Sequence, residues 1–356
     1  MPSEQEQAAL ATAQGLAPTA ENIARVARLT RPEAAAWAFT QWELRARAKG
    51  RFPEADRLLF DRDGLAMASS AARSEYHAAL FPTDERALDL TCGLGFDLMA
   101  LARRGPATGF ETDRQRAAYA RHNLAALGLT AEVHPRAARP EEWRGHHVFL
   151  DPMRRGPRGR LQADDYSPNP WAMLPELRQA ASFAIKLSPL VPDARLAEFG
   201  GAVEFLSDEG QCAEAVALSS GAGVWAVHLA AGERLRRAEP PRKTEVLGEY
   251  LYEADPAAVR AHALAHFGLD AVGDHPGFLT GGPTPPTPWL RAFRVVRTFS
   301  PKEKPGPVSA VKKRGPTPEP EALRRKWGYD PAGPIAFLWT ERRAVRACLA
   351  VPADVT

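Results

Sequence analysis

Between Asp89 and Asp97 the chain reads Asp-Leu-Thr-Cys-Gly-Leu-Gly-Phe-Asp, and the next apolar stretch, Ala107 to Phe110, closes on Glu111. An apolar strand running into a glycine turn, then a second apolar strand tipped by an acid, points to an α/β sheet with a nucleoside crevice at its strand ends. Gly93 and Gly95 lack a Cβ, so the backbone can turn sharply and lie close to a ligand. A carboxylate at Glu111 can bind two ribose hydroxyls. Leu98 stands three residues after Gly95, where a dinucleotide loop carries its third glycine. A nucleoside without a pyrophosphate therefore fits better than NAD or FAD. The plain alternative is a glycine turn that merely joins a strand to a helix.

The surrounding pattern extends the same architecture. Residues 3 to 80 are rich in Ala, Glu, Arg and Leu, with helical spacing from Ala20 to Ala48 and punctuation at Pro32 and Gly50. Beyond Arg86, short apolar strands alternate with helices. Strands are predicted at Ala87–Thr91, Thr108–Glu111, Ala131–His134, His147–Asp151, Phe183–Leu187, Val203–Leu206 and Val224–Leu229. Helices are predicted over Leu98–Arg104, stopped by Gly105, and Arg114–Leu127, stopped by Gly128. Such alternation implies a doubly wound, largely parallel sheet. The charged, proline-bearing segment Gly232–Lys243 reads as a linker, and Pro283–Pro288 cannot lie inside a helix or a central strand. A helix over Pro256–Phe267 lies between them. Strands at Ala292–Thr298, Ile335–Trp339 and Val345–Val351 around a helix at Glu319–Trp327 make a small α+β module. The expected domains are a helical region at 1–80, a sheet domain at 81–232 and a basic domain at 244–356.

At 356 residues with 45% hydrophobic content, two or three folded units are expected. No apolar run approaches the length of a membrane span, and Met1–Gln7 is acidic and polar, which implies a cytoplasmic protein without a membrane partner. Cys92, Cys212 and Cys348 are far apart with no CxxC pair, so neither a disulfide framework nor a metal site is implied. Adjacent His146 and His147 open an apolar strand, where a structural role outweighs metal ligation. The net charge of +3 is uneven: Arg291 to Arg346 holds fourteen Lys and Arg against five acids, an excess of nine. A run of this kind is usually a solvated face, yet it also suits capture of a polyanion.

With Asp89-x-x-x-Gly93-x-Gly95, Glu111 and the strand-ending His147-Val-Phe-Leu-Asp151-Pro-Met-Arg-Arg in order, the chain resembles class I S-adenosylmethionine-dependent methyltransferases. Over nearly its full length it looks like the bacterial family of these enzymes with a C-terminal THUMP-like domain. Asp151-Pro-Met-Arg-Arg, Gly159-Arg160, Asp165-Tyr-Ser-Pro-Asn, Lys186-Leu-Ser-Pro, Lys312-Lys-Arg-Gly-Pro and Trp327-Gly328 carry that likeness. The resemblance implies a Rossmann-like sheet, S-adenosylmethionine as cofactor, and Asp89, Thr91, Cys92, Gly93, Gly95, Asp97 and Glu111 as the residues that hold it. It places the catalytic motif at Asp151 and Pro152. The sequence departs from the family pattern where Val133-His-Pro-Arg-Ala-Ala offers no carboxylate for the adenine amino group.

Methyl transfer from a sulfonium is an in-line displacement, so the protein mainly desolvates and aligns the nucleophile. An amine acceptor can donate a hydrogen bond to Asp151, which orients its lone pair. The alternative for Asp151 is a strand-terminal residue that caps the next loop. Met153 and Arg154 stand where amino-methylating enzymes carry a second proline and an aromatic residue. Uracil-5-methyltransferases need a nucleophilic cysteine beyond the motif, and Cys212 and Cys348 lack a recognisable loop context. Arg154, Arg155 and Arg158 suit phosphate oxygens, as do Lys312, Lys313 and Arg314 in the basic tail. Arg155 has an equal second reading as a partner of Asp164 or Asp165. Tyr166 can stack on an extruded base, whereas core packing is the better reading for Trp171. The expected function is methylation of a base in structured RNA, tRNA or rRNA. A protein or small-molecule methyltransferase and a non-catalytic binding protein are the alternatives.

Overall fold

The structure, a computed structural model, describes residues 2–154 and 165–353. The chain divides into two compact units, Met1–Gly201 with Val216–Gly221, and Ala202–Ala215 with Ala222–Thr356.

The first unit opens with helices α1 (Glu4–Ala13), α2 (Ala20–Leu29), α3 (Pro32–Ala48), α4 (Arg62–Met67) and α5 (Ala71–Ala79). Their starts are written locally. Ser3 and Glu6 form a capping box, Thr19, Asp61 and Ser70 accept backbone N–H groups at their helix starts, and Pro32 occupies the first turn of α3. Alanines at 9, 13, 34, 35 and 38 let α1 and α3 approach closely around Val26 and Phe39. Buried polar side chains of α3 then hold the following segment: Gln41 exchanges two hydrogen bonds with the Phe60 backbone, and Arg45 Nε donates to Leu58 O at 2.9 Å.

The sheet strands of this unit are β1 (Ala87–Asp89), β2 (Ala107–Phe110), β3 (Glu132–His134), β4 (His147–Leu150) and, after a two-stranded ribbon β5 (Met153–Arg154) and β6 (Tyr166–Ser167), β7 (Ser182–Leu187). They stand in the order β7-β4-β1-β2-β3, each parallel to its neighbour. Helices α6 (Phe96–Arg104) and α7 (Arg114–Ala126) are the crossovers, and short helices α8 (Pro140–Trp143), α9 (Leu174–Leu177) and α10 (Asp193–Ala197) follow. All residues of β1, β2 and β4 are buried, as inner parallel strands require. The chain runs from β1 outward through β2 and β3, then returns to β4 on the other side of β1. That reversal puts a topological switch at the carboxyl ends of β1 and β4, where a doubly wound sheet opens its crevice.

The second unit contains β8 (Val203–Asp208), most of β9 (Gln211–Leu218), β10 (Val224–His228), parallel to β8, and β11 (Glu233–Arg236), antiparallel to β10. Its eight-stranded sheet is built from β12 (Lys243–Thr244), β13 (Tyr250–Ala254), β14 (Asp270–Val272), β15 (Phe278–Gly281), β16 (Leu290–Phe299), β17 (Ala310–Arg314), β18 (Ile335–Glu341) and β19 (Ala344–Pro352). The order is β12-β14-β15-β13-β16-β19-β18-β17. Leu251, Phe278, Phe293, Phe337 and Trp339 form one core, and Phe299, Leu323, Trp327 and Leu338 form another with helix α12 (Pro320–Trp327). The predicted linker carries β11, because Gly232 at φ +66° returns the chain antiparallel onto β10. The predicted helix over 256–267 breaks: α11 (Pro256–Arg260) stops before His262 at φ +57°, and a 3-10 turn covers Leu264–Phe267.

Asn123 of α7 is fully buried and binds three backbone groups of the first unit: Nδ2 donates to Leu59 O and Leu94 O at 3.1 and 3.0 Å, and Oδ1 accepts Leu59 N–H at 2.7 Å. Asn123→Leu would leave all three unpaired at about 1–3 kcal/mol each, before relaxation. A loss of roughly 3 kcal/mol is expected from urea denaturation, and a loss below about 1 kcal/mol would contradict this role.

Candidate active site

The glycine turn is built by short local bonds. Asp89 Oδ1 accepts Thr91 N–H at 3.1 Å, Cys92 N–H donates to Phe110 O at 2.9 Å, and Gly93 N–H donates to Glu111 Oε2 at 3.0 Å. The other Glu111 oxygen accepts Asp113 N–H at 2.7 Å. Gly93 lies at φ +52°, and a Cβ there would meet nothing within 4 Å, so this glycine faces open space. Gly95, at φ +90°, differs: its missing Cβ leaves room for Ala120 of α7, 3.2 Å away. The buried Cys92 sulfur occupies the room that a side chain at Gly109 would need, and burial pushes its thiol well above the ordinary range. Burial, reinforced by Asp97, likewise lifts the Asp89 carboxyl well above the usual carboxylate range.

Asp151, directly after β4, is tied to this turn through its N–H, which donates to Thr91 Oγ1 at 2.9 Å. Its Oδ2 accepts a hydrogen bond from Lys186 Nζ at 2.7 Å. Lys186 also donates to Ser69 Oγ at 3.1 Å, and Ser69 Oγ donates to Asp97 Oδ2 at 3.1 Å. Asp97 Oδ1 stands 2.8 Å from His77 Nδ1, and the His77 ring stacks on Phe149 of β4 with centroids 4.8 Å apart. Burial alone would raise the Asp97 carboxyl, but the adjacent His77, with help from Lys186, outweighs it and holds Asp97 down to about 2.

The structure thus brings Thr91, Gly93, Glu111 and Asp151 together at the switch point, while Asp89, Cys92 and Asp97 are buried beneath it. Pro152 is buried and Arg154 is exposed. Arg155 and Arg158 lie outside the described residues, as do Gly159, Arg160 and Asp164. Tyr166 is buried: its hydroxyl accepts Ser188 N–H at 3.1 Å, and its ring meets Trp171 edge-on at 5.6 Å. Trp171 packs against Phe199, under the Arg195 guanidinium, and its Nε1 donates to Arg195 O. His147 binds Ser182 and Glu85, a structural role. In the second unit, Lys312 and Arg314 pair with Glu253, and Lys313 pairs with Glu319. Among the described residues no group of three or more His, Cys, Asp or Glu could hold a metal ion, and no helix is long and apolar enough to cross a membrane.

Sequence reasoning missed Ser69, His77 and Lys186 as members of this site. The signal for Lys186 was present: a lysine between buried Ile185 and Leu187 in an otherwise apolar strand must find a counter-charge. Ser69 and His77 carried none, because their partner Asp97 lies twenty or more residues away.

A crystal structure named "putative methyltransferase from Porphyromonas gingivalis W83" superposes on this chain with a TM-score of 0.82, covering 99% of this chain and 100% of that one at 20% identity. This chain has the same fold. It is also similar, at 28% identity over 335 residues, to a protein of Mycobacterium tuberculosis strains CDC 1551 and H37Rv called an uncharacterized S-adenosylmethionine-dependent methyltransferase. That alignment spans 86% of this chain and 92% of the relative. No family model matches the chain.

The depressed Asp97 carboxyl has a consequence for stability. A carboxylate with a lowered folded value stabilises the protein above its ordinary titration range, and that contribution fades as pH falls from about 4 toward 2. Asp97→Asn should cost about 2 kcal/mol at pH 7 and clearly less at about pH 3. Urea midpoints of both proteins at the two pH values measure the gap, and an equal gap would contradict the assignment.

Proposed function

We propose that this chain is an S-adenosylmethionine-dependent methyltransferase that modifies an amine nitrogen of a base in structured RNA, tRNA or rRNA. The carrying observation is the hydrogen bond from Asp151 N–H to Thr91 Oγ1, which sets the acceptor carboxylate beside the turn that ends in Gly93 and Glu111. The residues present fit the cofactor: Gly93 opens on empty space in a left-handed conformation, and Glu111 stands hydrogen-bonded at its N–H. Gly93 and Glu111 would hold the methionine part and the ribose. When bound, the donor supplies a methyl group on a sulfonium sulfur, a reaction that needs alignment more than acid or base power. Asp151 supplies the alignment by accepting the hydrogen bond of the acceptor nitrogen. Carbon methylation through a covalent cysteine adduct is disfavoured, since burial pushes the Cys212 and Cys348 thiols up to about 12.

For RNA, the supporting observation is charge. Arg154 is exposed beside Asp151, and in the second unit Arg291, Arg294 and Arg297 of β16 and Arg324, Arg325 and Lys326 of α12 are exposed. Apart from Arg297, itself 3.9 Å from Glu303, these cations take the phosphate role more readily than Lys312, Lys313 and Arg314, whose charges are already met by carboxylates. That internal pairing favours, as a second reading, a protein or small-molecule acceptor.

Labelled methyl transfer to separated tRNA, rRNA, protein and small-molecule fractions tests the proposal. Label in an RNA fraction is expected; label solely in another fraction moves the assignment to the second reading, and no label in any fraction refutes enzymatic transfer. Glu111→Ala should weaken donor binding by more than about 1 kcal/mol in calorimetry. Asp151→Ala should abolish transfer with donor binding intact.

A further inference from the structure

Resting on that reading, we propose that Lys186 is a positioning residue for methyl transfer, its ammonium fixing the orientation and charge of the Asp151 carboxylate that meets the acceptor. Lys186 stands near the end of β7, where Phe183, Ala184, Ile185 and Leu187 are buried. Its side chain is 12% exposed, whereas that of Asp151 is 31% exposed. The pair therefore joins the interior to the mouth of the crevice, with the carboxylate outward. For folding alone such a residue is a poor choice: burying an ammonium costs several kcal/mol, and an apolar side chain of similar volume is commonly as stabilising or more so.

Behind Lys186 the contacts are built to hold the ammonium still. Of its three N–H donors, one goes to Asp151 Oδ2 and one to Ser69 Oγ. Ser69 donates its own O–H to Asp97, and His77 closes the row from α5. The result is a continuous row of hydrogen-bonded side chains from His77 through Asp97, Ser69 and Lys186 to Asp151. The helical N-terminal region supplies two of its members, so it belongs to the site rather than serving as a mere appendage.

The chemistry explains the need. Asp151 aligns an acceptor N–H only as a carboxylate, because a protonated carboxyl would donate where it must accept. During transfer the nitrogen lone pair forms the new N–C bond, and the C–S electron pair returns to sulfur as the thioether. The proton that the nitrogen then sheds passes to solvent by way of Asp151. Lys186 takes no part in that proton movement; it acts through Asp151. Among the described residues, the ionisable groups around Asp151 include Asp89 at the end of β1, Glu111 beyond it, Arg154 on β5, Tyr166 on β6, and Asp97 and His77 behind Lys186. The Lys186 ammonium, 2.7 Å from Oδ2, sets an opposite charge directly against that carboxylate.

Carboxyl-13C aspartate labelling, with Asp151 assigned by difference from Asp151→Asn, reads the carboxylate without any acceptor. In Lys186→Met its titration midpoint should rise by about 1–3 pH units. Single-turnover transfer measured about one pH unit below the shifted midpoint should fall several-fold to about tenfold against the parent, recover as pH is raised above that midpoint, and leave donor affinity within about twofold. Lys186→Arg should keep the midpoint near that of the parent, and Ser69→Ala should raise it by less than Lys186→Met does. An unmoved midpoint in folded Lys186→Met overturns the proposal; should that variant not fold, an unmoved midpoint in Ser69→Ala does so. Absence of transfer by the parent protein would sink the methyltransferase reading, while the carboxyl titration would still judge Lys186.

Discussion

Asp89, Asp97 and Asp151 crowd the ends of adjoining elements at the switch point of the sheet, and like charges in a poorly solvated place cannot all stay ionised without counter-charge. The structure meets this constraint unequally. Asp89 receives a backbone N–H and is driven toward its neutral form, whereas Asp97 is held ionised by His77 and Asp151 is paired with Lys186. Three chemically identical side chains thereby acquire three different characters. Environment, not residue type, sets which of them can accept a hydrogen bond from a ligand.

The helices that precede the sheet become intelligible from the same constraint. Ser69, just before α5, and His77, in its last turn, reach the carboxylates, while Asn123, Gln41 and Arg45 hold the backbone between α3 and α4 by buried bonds to its amides and carbonyls. Buried polar groups of this kind tolerate little displacement, because each broken bond leaves a desolvated atom without a partner. Rigidity at the strand ends is thus supplied partly from a region with no chemistry of its own.

In the second unit, the basic segment is organised by a sheet edge. β17, the last strand of its sheet, carries Lys312, Lys313 and Arg314, and charged side chains on an edge strand discourage pairing with another chain. Their carboxylate partners Glu253 and Glu319 come from other elements, so a formal excess of positive charge in the sequence overstates what these three residues present to solvent. The exposed arginines of β16 and α12 carry part of the remainder, with Lys302, Lys304, Lys326, Arg342, Arg343 and Arg346.

The sequence by itself determined the strand and helix pattern around the glycine turn, the strand ending at Asp151 and the helix stops at Gly105 and Gly128, because periodicity, caps and glycine turns are local effects. It also marked Gly93, Glu111 and Asp151 as the residues to watch. Only the tertiary structure decided that Gly95 serves the packing of Ala120, that Cys92 fills the space beside Gly109, and that the Thr91 hydroxyl accepts the Asp151 N–H. It likewise decided the strands β5, β6, β9, β11, β12, β13, β14, β15 and β17, which are short, marginal or rich in charge and owe their form to neighbours distant in sequence. The pairing of Lys186 with Asp151 and of His77 with Asp97 belongs to this second class. Each spans at least twenty residues, and a counter-charge for a buried ion is chosen by proximity in space, which no local pattern encodes.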